Sequence, residues 1–205
     1  METNLNSLIP LDQPFGGDPY FYDGDESFGS IPANAVDWVL VEMRLGTPSL
    51  SNPNTTTLET QACLLLEDGQ LLDTDGFLGV VFSTLAENQA YHIVIRHRNH
   101  LDIMTNTSIL ASNNMSHNFT SSSTQAFGPE QLKELPPNVY GLYAGDYTAD
   151  GVIQSTDFDI WSFQPAINNT YGVTDGNMDG VVQATDFDIW FGNKAKVGAS
   201  EIQLD

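Results

Sequence analysis

Twice in the C-terminal part of the chain, oxygen-bearing side chains fall at positions 1, 3, 5 and 12 of a short loop with glycine at position 6. The first set is Asp146, Thr148, Asp150, Gly151 and Asp157; the second is Asp175, Asn177, Asp179, Gly180 and Asp186. This is the spacing of a calcium loop. A hard cation takes six to eight oxygens, and the glycine turns the backbone so that the position 7 carbonyls, Val152 and Val181, also face the ion. Gln154 and Gln183 at position 9 are expected to ligate directly or through water.

The runs DYTADGVIQSTDFDIW and DGNMDGVVQATDFDIW match at 11 of 16 positions, offset by 29 residues, and so represent a duplication. Two metal-free solvated turns are the plain alternative, against which duplication and spacing argue together. Two Ca2+ sites are expected. The first is the weaker because Thr148 offers a hydroxyl where Asn177 offers an amide oxygen. Aspartate rather than glutamate at position 12 shortens the closing reach, which points to affinities on the order of 10⁻⁵ to 10⁻³ M and to a structural role.

The elements that must hold these loops are short amphipathic helices, expected over Asp157–Phe163 and Asp186–Phe191. Thr156 and Thr185 are the expected caps; Pro165 and Gly192 are the expected stops. Eight aspartates and no Lys, Arg, Glu or His lie between Asp146 and Trp190. Their repulsion acts across a small core of Ile153, Ile160, Trp161, Val182, Ile189 and Trp190, so calcium is expected to hold this region folded.

The doubled loop–helix unit resembles the type I dockerin module, built of two half EF-hands. The resemblance implies that Ser155, Thr156, Ala184 and Thr185, at loop positions 10 and 11, would face a cohesin partner.

A chain of 205 residues with 40% apolar content can hold one medium and one small domain. A net charge of −21 argues against nucleic acid or an anionic membrane as partner and suits a calcium-rich extracellular medium. Cys63 alone can form no intrachain disulfide and reads as a small buried hydrophobe. Met1 is not followed by a signal peptide, and no stretch is long enough for a membrane span, so the sequence is expected to be a mature form or an excerpt.

Residues 1–35 form a turn-rich aromatic leader expected to pack on its own or a neighbouring sandwich; Phe15, Tyr20, Phe21, Tyr22 and Phe28 are too apolar to float free. Residues 36–127 read as an antiparallel β-sandwich. VDWVLVEMRL is apolar on both faces, as a central strand is, and a hairpin turns at Glu67–Gly69. FLGVVFSTL and QAYHIVIRHR follow as strands, with TSILA and MSHNFTSS as a final pair. Residues 128–140 form a linker with one possible helical turn at Glu130–Leu135, 141–193 the dockerin-like module, and 194–205 a tail on the surface. The fold class is mostly β, an antiparallel sandwich followed by a small α module with two half EF-hands. VVFSTLAENQAYHIVIRH resembles transthyretin-like or carboxypeptidase-regulatory-like members of the immunoglobulin-type sandwiches.

The ordered motifs SLIPLDQPF, AVDWVLVEMR, QACLLLEDGQLLDTDG, IVIRHRNHLDIM, NFT and AFG, followed by the acidic repeats, resemble a C-terminal region of secreted or surface proteins of Bacteroidota. These are often haemagglutinin-like and exported by the type IX system. The resemblance implies an extracellular, non-catalytic module. A sorting domain beyond Asp205 and a strand before Met1 would complete that pattern, so the chain is expected to belong to a longer precursor.

The run Arg96-His97-Arg98-Asn99-His100 holds an HxxH pair that could begin a zinc site with His92 and His117. On a strand, His97 and His100 point to opposite faces unless the chain bends. Arg96 and Arg98 are expected to pair with carboxylates such as Asp37 or Glu42. No fingerprint for a hydrolase, a zinc protease, a phosphate loop or a dinucleotide site occurs. Five N-x-[ST] triplets, at Asn54, Asn106, Asn114, Asn118 and Asn168, read as composition. Three functions follow: a structural or adhesive module stiffened by calcium, a dockerin-like connector to a receptor, and a carbohydrate-binding or hydrolytic domain using exposed aromatics to hold a glycan. The first is favoured, with protein as partner through self-association or a surface receptor.

Overall fold

The computed structural model describes residues 1–112, 115–164 and 166–204. Pro165, the expected stop of the first helix, and Asn114 of one glycosylation-like triplet lie outside the described residues.

An antiparallel sheet forms the centre. Its strands are β1 (Ala35–Gly46), β2 (Thr55–Leu66), β3 (Leu71–Leu72), β4 (Ala90–His97), β5 (His100–Met104) and β6 (Ile109–Leu110), in the order β3-β2-β1-β4-β5, with β6 on the end of β4. β1 is buried from Ala35 to Arg44 because both its faces are covered, as a run with apolar residues on both faces predicts. Val39 and Val41 pack with Cys63, Ile93 and Ile95 on one face. Across that face, Ile103 and Ile95 meet Leu132, Tyr140 and Leu142, which belong to or flank a second, two-stranded layer of β7 (Lys133–Leu135) and β8 (Val139–Gly141). The fold is mostly β, a layered antiparallel sandwich, followed by two short helices, α1 (Ser155–Phe163) and α2 (Ala184–Asn193).

On the opposite face Trp38 and Leu40 bury against Leu5, Ile9 and Phe15, so the leader covers its own sheet. Trp38 donates its indole N–H to the Pro10 carbonyl at 2.9 Å. Further along, the same face carries Glu42, Arg44, Arg96 and Asp102. Arg96 pairs with both Glu42 and Asp102, and Arg44 with Glu42 at 2.9 Å. The chain end covers these charges. Arg44 and Arg96 donate to the carbonyls of Glu201 and Ile202, and Ile202 and Ala199 pack on Val94 and Met104. The tail expected to lie on the surface is thus partly core, with Glu201 and Ile202 both 2% exposed. Apolar residues drive this burial, and the Glu201 carboxylate caps the β1–β2 loop by accepting from the amides of Ser49, Asn54 and Thr55.

Three expected elements differ. FLGVVFSTL is not a strand: Gly76 and Gly79 have φ of +85° and +97°, which turns the chain, and Phe77, Leu78 and Val81 are exposed. Carboxylates hold this segment instead, Asp73 accepting from the Val81 amide and Glu59 from those of Ser83 and Thr84. MSHNFTSS is likewise no strand, since Asn118 bonds locally to the amide of Thr120, and β6 pairs with β4. The helical turn at Glu130–Leu135 is replaced by the β7–β8 hairpin, with Glu130 at φ +53°.

Candidate calcium loops and their anchor

The two loops repeat the same bonds at positions 1, 5 and 12. At position 1, Asp146 and Asp175 accept from the amides of Gly151 and Gly180 at 3.0 and 2.8 Å. At position 5, Asp150 and Asp179 accept from Val152 and Val181 at 2.9 and 2.8 Å. At position 12, Asp157 and Asp186 each accept from the position 9 amides of Gln154 and Gln183 at 2.8 Å. Both position 6 glycines are left-handed, with φ of +81° and +80°. The position 4 residues, Ala149 and Met178, take the same hand at +54° and +58°, a conformation that costs a non-glycine residue about 1 kcal/mol or more.

Thr156 and Thr185 are not the caps. Gln154 and Gln183 occupy the N-cap position and form capping boxes with Asp157 and Asp186. The position 12 carboxylate is therefore also the third residue of its helix, so the loop closes on the positive end of that helix.

Position 3 separates the copies. The Thr148 hydroxyl and amide both donate to Asp157 Oδ1 at 2.9 Å, whereas the matching Asp186 Oδ1 accepts from backbone amides alone, those of Gly176 and Asn177 at 2.9 and 3.3 Å. Asn177 instead accepts from the Asp179 amide at 3.1 Å and donates to the Asp179 carboxylate at 2.9 Å.

Asp146, Asp157, Asp175 and Asp186 are at most 2% exposed. Burial, then Asp157, Asp102 and Asp150, raises the Asp146 carboxyl to about 8. Burial first, and neighbouring aspartates after it, likewise raises Asp157, Asp175 and Asp186 above the ordinary range. The donor set suits a divalent cation: it is all oxygen, buried and short of positive charge. Among the described residues no three His, Cys, Asp or Glu side chains converge as a closed metal cage, since the position 12 carboxylates turn to the loops' own amides.

A pseudo-twofold arrangement joins the copies. Loop 1 pairs with the segment after α2, through Ile153 with Ala195 and Lys196. Loop 2 pairs with the segment after α1, through β9 (Ile167–Asn168) and β10 (Val181–Val182). Trp190 donates to the carbonyl of Gln154 at 3.0 Å, and Trp161 to that of Gln183 at 3.3 Å. Phe158, Trp161, Phe187 and Trp190 stack between the helices. Ile153 and Val182 are buried beneath them, while Ile160, Trp161, Ile189 and Trp190 are half-buried.

Beside each indole lies an open groove, one lined by Gln154, Ser155, Trp190, Lys194 and Val197, the other by Trp161, Gln164, Ala166, Val182 and Gln183. Phe163 is 85% and Phe191 51% exposed.

The β4–β5 turn fixes the loops to the sheet. Arg98 pairs with the buried Asp37 at 3.0 Å, donates to the Gly172 carbonyl, and lies over the Tyr171 ring at 4.2 Å. Arg96 and Arg98 thus take Glu42 and Asp37 as partners, the carboxylates expected from the sequence. Burial favours protonation of Asp37, but Arg98 and His97 outweigh it and hold the carboxyl well below the usual range. The chain does bend between His97 and His100: their Nδ1 atoms lie 3.0 Å apart, with ring centroids at 4.6 Å. Burial, then His97 and Arg98, keeps His100 neutral well below the usual imidazole range. His92 bonds to the Thr105 carbonyl and His117 to that of Gln125, so neither joins this pair. Two residues with no signal of their own in the sequence also bond to the loops: Asn99 Nδ2 donates to the Asp175 carbonyl and the Tyr147 hydroxyl to that of Asp186.

No family model matches the chain, and no curated protein matches it. Among solved structures, a type II cohesin–X–dockerin complex from Acetivibrio cellulolyticus, a C-terminal interface mutant, aligns at TM-score 0.43 and 20% identity over 80% of this chain and 84% of that one. A likeness this slight carries no argument about fold or function.

Proposed function

We propose that the chain is a non-catalytic, calcium-binding structural or adhesive module of an extracellular, cell-surface or fibre-forming bacterial protein. One observation carries this reading: two loops with calcium spacing repeat the same bonds around four buried aspartates whose neighbours leave them short of positive charge. Asp146, Thr148, Asp150, Val152, Gln154 and Asp157 would hold one ion; Asp175, Asn177, Asp179, Val181, Gln183 and Asp186 would hold the other. Bound Ca2+ would relieve the repulsion that burial imposes on these carboxylates. The first site would be the weaker, because the Thr148 hydroxyl is spent on the carboxylate that must close the loop. Among the described residues no helix is long and apolar enough to cross a membrane.

A second reading, a connector docking a separate protein receptor, is favoured by the grooves beside Trp161 and Trp190 and by the exposed Phe163 and Phe191. The leader lies on its own sheet and so gives no support to assembly through leader exchange.

The deciding experiment is light scattering with a thermal melt, in calcium and then in chelator. A calcium-dependent rise in Tm with large assemblies supports the structural or adhesive reading. The same rise in a monomer moves the case to the receptor. A melt indifferent to calcium overturns both.

A further inference from the structure

Asn99 is fully buried at the tip of the β4–β5 hairpin and touches the entrance of both loops. Its backbone carbonyl accepts from the amide of Gly145, which precedes Asp146 at position 1 of the first loop, at 2.9 Å. Its side-chain Nδ2 donates to the carbonyl of Asp175, position 1 of the second loop, at 2.7 Å.

The orientation of this amide is set from behind. Asp37 lies 3.1 Å from His97 Nε2, His97 Nδ1 lies 3.0 Å from His100 Nδ1, and Asn99 Oδ1, which can only accept, takes the His100 Nδ1–H at 2.6 Å. With Oδ1 so occupied, Nδ2 is the atom turned to Asp175. A chain of hydrogen bonds therefore runs from Asp37 on β1, through His97 and His100, to the backbone of the second loop.

We propose that Asn99 is a positioning residue for calcium binding. It registers the first ligand of each loop against the sheet, through its side chain for the second loop and through its backbone alone for the first. This rests on the calcium reading above. The Arg-His-Arg-Asn-His run is then a clamp on the loops, its arginines neutralising Glu42 and Asp37 and its histidines fixing the amide.

The asymmetry between side chain and backbone supplies the test, run on the full chain with Ca2+ alone as probe and the fluorescence of the loop-facing tryptophans as readout. Asp150→Asn leaves the second loop to be titrated and Asp179→Asn leaves the first. Asn99→Ala is expected to weaken the second loop about tenfold, as the loss of one buried hydrogen bond does. It should move the first loop by less than about twofold, since the bond to Gly145 survives. His100→Ala, which frees the amide without removing it, should shift the second loop in the same direction by a smaller factor. A merely structural asparagine would weaken both loops alike or neither, and either result overturns the proposal. Failure of the unsubstituted protein to bind calcium would instead overturn the calcium reading and this inference with it.

Discussion

The Tyr147 hydroxyl stands 2.6 Å from the place a Cβ would occupy on residue 176, and glycine is the residue there. These are the position 2 residues of the two loops, the point at which the duplicated copies depart most in size. Tyr147 is 4% exposed and donates to the carbonyl of Asp186, the closing residue of the other loop, at 3.2 Å. Gly176→Ala is therefore expected to cost about 1–3 kcal/mol by overpacking, and Tyr147→Phe about 1 kcal/mol for the lost hydrogen bond. In the double variant the alanine should cost less than it does alone, because the atom it strikes is gone. Urea denaturation of the four proteins in calcium measures the coupling.

Thr148 offers a gain-of-function test. Thr148→Asn gives the first loop the position 3 residue of the second and releases Asp157 Oδ1 from the hydroxyl it now accepts. With Asp179→Asn silencing the second loop, calcium titration should show the first loop tightened by about threefold to tenfold. No change in affinity would contradict the assignment of Thr148 as the weak ligand.

Glu201 ties the chain end to the sheet by accepting from three backbone amides and the Thr55 hydroxyl. Glu201→Ala is expected to cost about 1.5–3 kcal/mol, since the half-buried and exposed amides of the β1–β2 loop lose hydrogen bonds to a charged acceptor. Glu201→Gln, which keeps an acceptor oxygen, should cost less. Chemical denaturation gives the magnitudes. Limited proteolysis should show the earliest new cleavage between residues 47 and 54.

Two buried carboxyls on the sheet should impose opposite pH dependences. Asp37, held low by Arg98 and His97, stays ionised in the native state where an unfolded aspartate near 3.9 takes up a proton. Its contribution is complete above about pH 4 and drains away as pH falls further. Burial raises Asp102 to about 6 despite Arg96, so the native state holds the extra proton between about 3.9 and 6, and stability falls as pH rises through that window. Asp37→Asn should flatten the acid limb of the stability profile, and Asp102→Asn should remove the slope between pH 4 and 6. Both are read from urea midpoints across pH, as differences from the unsubstituted protein, so that the loop aspartates cancel.

What could be read from the residues was whatever is local or periodic. The calcium spacing, the central strand VDWVLVEMRL and the burial of Cys63 each follow from a short pattern: oxygens at odd positions, apolar side chains on both faces, or a small hydrophobe within an apolar run. The Arg96–Glu42 and Arg98–Asp37 pairs could be foreseen because an arginine in so acidic a chain must find a carboxylate. FLGVVFSTL misled because its apolar content outweighs Gly76 just before it and Gly79 within it, which turn the backbone. The helix caps misled because Gln154 and Gln183 take the N-cap position and Asp157 and Asp186 reach back to their amides, where threonine was expected to cap.

Only the tertiary structure decided what lies between distant segments. It brought the tail across the sheet so that Glu201 and Ile202 cover Arg44 and Arg96, and it set the Asn99 turn against both loops. These contacts join residues separated by 46 (Asn99 to Gly145) to 157 positions. Polar partners at such separation leave no period in the chain: each is chosen by three-dimensional burial, which obliges every covered amide and carboxylate to find a partner wherever the fold has put one.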